Sequence, residues 1–483
     1  DVCENYAVQA DQLAEISNNS GPKEEFKRIA EVLRKIQEEK PETLREAIQL
    51  FWIYALISGV LNYGRLDDFL GDFYVNDLEK GLITEERALD YLVSLWELIA
   101  DRGIEFNGRV IIGGRGRENE ETADKFALLA MEATRIVKET EPQLSLRFYQ
   151  GMNPELMEKA LDVIGEGRTF PMLYNDDTNI PAVENAFNVG TEEAEQYIPY
   201  GCGEYVLDHI SFGSPNCSLN LLKALEVALH NGRNIMTGET IGLATGQLED
   251  FKDFDDLLDA YKKQVEFFVE SLAKRHAFEY KIERENAAFL YPSMLYDYCL
   301  ERGKSFIDGG TKYLGGIIET FGMVNAADSL AVIKKLVYDK KILKLQELVE
   351  ILANNFKGYL REDKIIKSLL KYGNDDEEMD NMVCEISDHV ASYTMEQADK
   401  VGLDYFLVVN INNYMNVDLG QETAASADGR KKKEPLANGN TPTAGNDKCG
   451  VTAFLNSITK VNPDVHAGYT QNMKFSKNMF NKN

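Results

Sequence analysis

Six cysteines are spread along the 483 residues, at positions 3, 202, 217, 299, 384 and 449. The neighbours of one of them could support chemistry. In Tyr200-Gly201-Cys202-Gly203-Glu204 a thiol sits between two glycines, with a carboxylate two residues further on. Glycine adopts backbone angles that other residues avoid and lets a ligand approach the chain closely. If the segment stays extended, side chains alternate with period two, so Cys202 and Glu204 face the same cavity. A thiol that exchanges a hydrogen atom and a carboxylate that moves a proton would then meet one substrate. Two other readings stay open on these residues alone. Cys202 could be a small buried hydrophobe, or a thiolate nucleophile paired with His209. Asp208 and His209 follow, then a flexible-looking stretch, Gly213-Ser214-Pro215-Asn216.

The rest of the composition narrows the setting. With 52 Lys and Arg against 80 Asp and Glu, the net charge is -28. Nucleic acid is excluded as a partner, because phosphate binding needs clustered cations. The compact basic run Arg430-Lys431-Lys432-Lys433 reads as a solvated turn. The cysteines form no C-x-x-C pair, so neither a disulfide framework nor a zinc site is expected, and no bound metal. Reduced thiols and an acidic balance suggest a cytoplasmic protein, and no secretory signal is present. The most apolar stretch, Leu50 to Leu61, is about half the length of a membrane span. The chain opens on Asp1-Val2-Cys3 and reads as cut from a longer one. His230, His276 and His389 read as surface or packing residues on helices, and the acidic run Asp375 to Glu378 as a helix N-terminus.

The elements that must hold the cysteine loop follow from periodicity. Helices are predicted over 23–39, 42–60, 84–103, 122–137 and 153–167, then 220–231, 253–287, 326–341, 344–356, 362–373 and 377–401. Strands are predicted at 110–112, 144–149, 170–174 and 198–200, and again at 406–411, 452–458 and 469–475. The stretch 419–450 reads as an ordered loop or lid. Strands separated by helices point to an α/β protein with a largely parallel sheet. A single domain over 1–483 is expected, with a helical part over 1–105 and a barrel core over 106–483.

Several segments then resemble, in order, those of the glycyl radical enzymes of the pyruvate formate-lyase-like group. The resemblance is strongest to the branch of glycerol and diol dehydratases, choline and hydroxyproline lyases and arylacetate decarboxylases. Gly64-Arg65-Leu66-Asp67 with Phe73-Tyr74 resembles the early "GR-x-D…Y" segment. Pro142 to Arg147 resembles "P-x-LS-x-R", and Pro171 to Asp176 resembles "P-x-x-ND". Gly201-Cys202-Gly203-Glu204 matches the radical cysteine loop "GC-x-E", and Asn220 to Glu226 the helix after it. Tyr372 to Asp376, Asp428-Gly429-Arg430 with Glu434 to Ala437, and Leu455-Asn456-Ser457 with Lys460 complete the series.

The resemblance implies a ten-stranded α/β barrel of two half-barrels, with the cysteine loop inside. It implies that Cys202 carries a thiyl radical, that Glu204 is a base, and that the cofactor is a glycyl radical. That radical would be installed by a separate activating enzyme that uses S-adenosylmethionine and an iron–sulfur cluster. The family's radical motif is "RV-x-GY"; the one near match, Val465 to Tyr469, lacks the arginine. The radical glycine is therefore expected outside this chain, on a missing segment or a small separate subunit, with Gly468 the weak internal candidate. The neighbours of Cys202 are glycines, which argues against acyl transfer to coenzyme A. Where diol dehydratase-like members carry an aspartate, this chain has Asn216, and an amide cannot act as a charged partner of a leaving group. Asp208, His209, Asn216, Ser145, Arg147 and Asn175 are the candidate substrate contacts. The expected activity is elimination from a small polar substrate by a homodimeric lyase. Decarboxylation of an aryl or related acid is the alternative enzyme reading, and an inactive or partner-dependent scaffold is the reading from another class.

Overall fold

The computed structural model describes residues 1–103, 108–201, 203–411 and 413–480. They gather into two compact units. The first unit comprises Asp1–Asp177, Ile198–Gly201 and the end of the chain from Phe475; the second comprises Thr178–Tyr197 and the residues between Cys202 and Lys474.

The first unit is built on a three-stranded sheet: β1 (Arg109–Gly113), β2 (Gln143–Phe148) and β3 (Met172–Asn175). The strands are parallel, with Ile111 opposite Ser145 and Ser145 opposite Met172. Every residue of β1 is buried, as expected of a strand covered on both faces. Helices Glu120–Val137 and Pro154–Gly165 make the crossovers between the strands. Earlier helices Leu44–Ser58, Leu66–Glu79 and Glu85–Asp101 add Leu66, Leu92 and Trp96 to the core.

Three segments that stood apart in the sequence meet at the end of β1. Asp67 accepts from the Gly113 amide at 2.7 Å and from Arg117 at 3.2 Å. Arg65, buried, donates to the carbonyl of Arg115 at 2.8 Å. Arg147 from β2 holds Asp176 through two nitrogens, Nε at 2.9 Å and Nη2 at 3.0 Å, and both residues are fully buried. Asp176 also accepts from the Arg115 amide at 2.8 Å. The fork of the guanidinium matches the two carboxylate oxygens, which makes the pair directional as well as charged.

The second unit contains a four-stranded parallel sheet in the order β6 (Ser211–Asn220), β7 (Tyr313–Phe321), β8 (Tyr405–Asn410) and β9 (Gly468–Tyr469). Two short strands, β4 (Tyr197–Tyr200) and β5 (Glu204–Leu207), precede it in the chain, on either side of the cysteine loop. Asn220 caps the helix Leu221–Leu229 by accepting from the Lys223 amide at 3.0 Å. Asp253 forms a capping box at the head of the long helix Phe254–Asn286. Asp376 caps Glu377–Met395, as the acidic run implied.

Four expectations change. The stretch Gly213–Asn216 is part of β6 rather than a flexible connection. Strand β7 is absent from the periodicity reading because Gly315 and Gly316 interrupt its apolar pattern. Those glycines make room: a Cβ on Gly315 would lie 2.2 Å from the Tyr405 ring, and one on Gly316 would lie 2.5 Å from His276 Nε2. The predicted strand 452–458 is a helix, Val451–Ile458. Its apolar residues Val451, Phe454, Leu455 and Ile458 recur with helical spacing, which the β-rich appearance of the run obscured. Arg430 is buried rather than solvated, and it gathers the carbonyls of Thr423, Ala424, Lys431 and Glu434. The loop 419–450, which begins in the helix Met415–Gln421, is thereby tied from within.

The Arg147–Asp176 pair yields a stability test. Asp176→Asn leaves a fully buried guanidinium without its counter-charge and is expected to cost about 3–5 kcal/mol. The double variant Arg147→Met with Asp176→Leu removes both charges and is expected to regain most of that loss, as read from urea unfolding midpoints.

Candidate active site

The site in the second unit is set by register. Ser218 of β6 lies opposite Glu319 of β7, Glu319 opposite Val409 of β8, and Val409 opposite Gly468 of β9. Residues at one level of a parallel sheet present their side chains to the same face. The face is identified by Gly468. A Cβ there would lie 3.8 Å from Val409 Cγ2 and 2.5 Å from the carbonyl oxygen of Gly203. The backbone of Gly203 therefore covers the face onto which Ser218, Glu319 and Val409 project. Gly203 itself has φ 138° and Gly468 has φ 151°, angles that L side chains rarely adopt. The rung lies close to the carboxyl ends of β6, β7 and β8, where open α/β sheets place their ligands.

Glu204 follows Gly203 directly and is 1% exposed. Its charge reaches Glu319. Burial first, and the Glu204 carboxylate second, push the Glu319 carboxyl up to about 7, against hydrogen bonds from Ser218 and Asn413. The Ser218 hydroxyl donates to Glu319 Oε2 at 3.4 Å. Two carboxylates in one low-dielectric space resist simultaneous ionisation, so one of them holds a proton near neutral pH. Glu204 and Glu319 are therefore close enough to interact electrostatically.

In the first unit the approach to the loop is held by Arg109 of β1. Its Nε and Nη2 donate to the carbonyl of Gly201 at 3.1 and 2.5 Å, and its Nη1 donates to Ser145 at 2.6 Å. The Gly201 amide donates to Asn62 Oδ1 at 3.1 Å. Ser145 therefore orients the arginine that anchors the peptide before Cys202.

The other residues singled out from the sequence are placed as follows. Cys202 lies outside the described residues. The backbone of Asn216 belongs to β6, and its side chain is likewise outside what is described. Arg147 is engaged by Asp176. Asn175 accepts from the Asp177 amide at 3.1 Å and turns the chain into the helix Asp176–Phe187. Asp208 and His209 occupy the turn after β5, where His209 has φ 59°, a side chain 58% exposed, and Nε2 at 3.6 Å from Asp208. Neither belongs to the rung under Gly203. Two charged residues of the arrangement were not singled out, Glu319 and Arg109, nor were the polar Asn62, Ser218 and Asn413. The signal for the two charged residues was a lone charge beside an apolar β run, in Ile317-Ile318-Glu319 and Arg109-Val110-Ile111-Ile112. Among the described residues no group of three or more His, Cys, Asp or Glu could hold a metal ion. No helix is long and apolar enough to cross a membrane, again among the described residues.

Known proteins share this arrangement of elements. The chain matches the pyruvate formate lyase-like family model over residues 1–413. It is 29% identical to (2S)-3-sulfopropanediol dehydratase of Klebsiella oxytoca, over 97% of this chain and 60% of that protein. It is 26% identical to trans-4-hydroxy-L-proline dehydratase of Clostridioides difficile, over 98% of this chain and 62% of that one. A solved structure described for 1,2-propanediol dehydration in Roseburia inulinivorans superposes with a TM-score of 0.91 at 28% identity, over 99% of this chain and 63% of that one. The glycerol-bound B12-independent glycerol dehydratase of Clostridium butyricum superposes with a TM-score of 0.89 at 29% identity, over 97% and 61%. The chain thus spans less than two thirds of the length of these relatives. The ordered motifs, the parallel sheets and the family match make one conclusion: the chain belongs to the pyruvate formate lyase-like family of glycyl radical enzymes.

Proposed function

We propose that this protein is the core of a radical lyase that eliminates water, or a comparable leaving group, from a small polar substrate. The observation that carries this reading is Glu204, buried beside the rung of the second sheet on the loop that bears Cys202. Members of the family use a glycyl radical, whose contribution is hydrogen-atom transfer by way of a cysteine, here Cys202. Glycines flank Cys202, and Gly468 beneath Gly203 leaves the close backbone approach that such a transfer needs. Cys202 takes a hydrogen atom from a carbon that bears a hydroxyl. Glu204 accepts the hydroxyl proton, and the bond from the adjacent carbon to its leaving group then breaks. Burial keeps water away from the reacting carbon. Arg109, Ser145 and Asn62 hold the approach to the loop in place.

The proposal extends to architecture and partners. The fold is read as that of a ten-stranded α/β barrel, supported by the TM-score of 0.91. The radical glycine is assigned to a segment or subunit beyond these 483 residues, supported by the 60–63% share of its relatives that the chain spans. Gly468 is assigned to seating the loop. A separate activating enzyme and a homodimeric assembly follow from the family.

Two outcomes are expected in the activated assembly, prepared without oxygen. Cys202→Ala abolishes turnover while the glycyl doublet in the electron paramagnetic resonance spectrum persists. Glu204→Gln keeps the doublet and lowers kcat by roughly 100- to 10,000-fold, the range for loss of a general base. Turnover by Cys202→Ala would remove the basis of the reading. Gly468→Ala drives a methyl group against the Gly203 carbonyl. It is expected to cost about 1–3 kcal/mol in stability, and to lower turnover more than a substitution on the exposed side of the helix Phe254–Asn286 does.

A further inference from the structure

The leaving group needs a proton, and the chain lacks an acid where diol dehydratase-like sequences carry one. Asn216 stands there, and an amide does not act as a proton donor of that kind. His209 is largely exposed, in a turn away from the rung. The rung itself supplies the alternative. Glu319 projects from β7 onto the face that Gly203 covers, between Ser218 and Val409, near the carboxyl end of the sheet. It is half-buried, so one side remains open to a ligand, and its partners Ser218 and Asn413 fix its orientation.

We propose that Glu319 is a catalytic residue of this protein, the general acid that protonates the leaving oxygen of a vicinal diol, working with Glu204 as base. The inference rests on the elimination reading above. The pair carries one proton between its two carboxyls. At the start the shared proton is placed on Glu319, whose carboxyl is pushed up by burial and by the neighbouring Glu204, and Glu204 acts as the carboxylate. Cys202 removes a hydrogen atom from the carbinol carbon, and a new S–H bond replaces the C–H bond. Glu204 takes the proton of that carbinol, whose oxygen becomes a carbonyl. The adjacent C–O bond breaks, its electron pair leaves with the oxygen, and the Glu319 proton completes the departing hydroxide to water. Cys202 returns its hydrogen atom to the carbon that lost the oxygen. One proton then passes from Glu204 to Glu319 and restores the starting state. The sum is a vicinal diol converted to an aldehyde and water, with no external oxidant, reductant or acid consumed.

The test uses the activated assembly with 1,2-propanediol and glycerol as probes, and the same protein before activation. Glu319→Gln keeps shape and hydrogen bonding and removes the transferable proton. Aldehyde release is expected to fall roughly 100- to 10,000-fold. Removal of deuterium from the carbinol carbon should persist, because it precedes the protonation. Before activation, infrared difference spectra of glutamate-labelled protein at about pH 6 should show a protonated carboxyl that Glu319→Gln abolishes. Thermal unfolding of the variant confirms that it folds. Aldehyde release by Glu319→Gln within about threefold of the wild type, or an unchanged infrared band, overturns the inference and leaves the elimination reading standing. No aldehyde from the wild type, despite a measured glycyl doublet, overturns the elimination reading, and the role of Glu319 falls with it.

Discussion

The carbonyl of Gly203 and the α-carbon of Gly468 approach so closely that a single methyl group would not fit between them. This contact determines where the cysteine loop can lie, and most of the site follows from it. The register of β6 to β9 decides which side chains stand beneath the loop. Had β9 carried an ordinary side chain at this level, the loop would stand off the sheet and Glu204 would lose its burial. Had the register slipped by one residue, Glu319 would point to the opposite face and Thr320 would take its level. Backbone proximity and strand register together convert two isolated acidic residues into a pair.

The consequence is electrostatic. A carboxylate alone in a buried space is costly, and two are costlier. Burial and Glu204 push the Glu319 carboxyl up to about 7, against the hydrogen bonds from Ser218 and Asn413 that favour its ionised form. The buried charges of the first unit are balanced differently. Arg147 faces Asp176, Arg117 faces Asp67, and each ion meets a counter-ion at hydrogen-bond distance.

The α/β character of the chain was legible in its periodicity, and so were most helices, because long amphipathic repeats and capping residues such as Asp253 and Asp376 are local signals. Strand β7 was not legible. Its paired glycines answer to Tyr405 and His276, which are remote in sequence. The helix Val451–Ile458 was missed for a different reason, since a short apolar run carries both periods at once. Arg430 looked like part of a surface charge run because the carbonyls that surround it are backbone atoms, which leave no trace in side-chain composition.

The sequence by itself determined the chemistry available: a thiol between glycines, a carboxylate two residues on, an amide at position 216, and an ordered set of motifs that marks the family. Those are properties of residue types and spacing along one chain. Only the tertiary structure decided which residues meet. It joined Arg65, Asp67, Arg147 and Asp176 around the end of β1, put Ser145 behind Arg109, and set Glu319 on the level of Gly468 within electrostatic reach of Glu204. The physical reason is that proximity across a parallel sheet depends on register and crossover, which link residues far apart in the chain, Ser218 and Glu319 among them, and no local pattern encodes that distance.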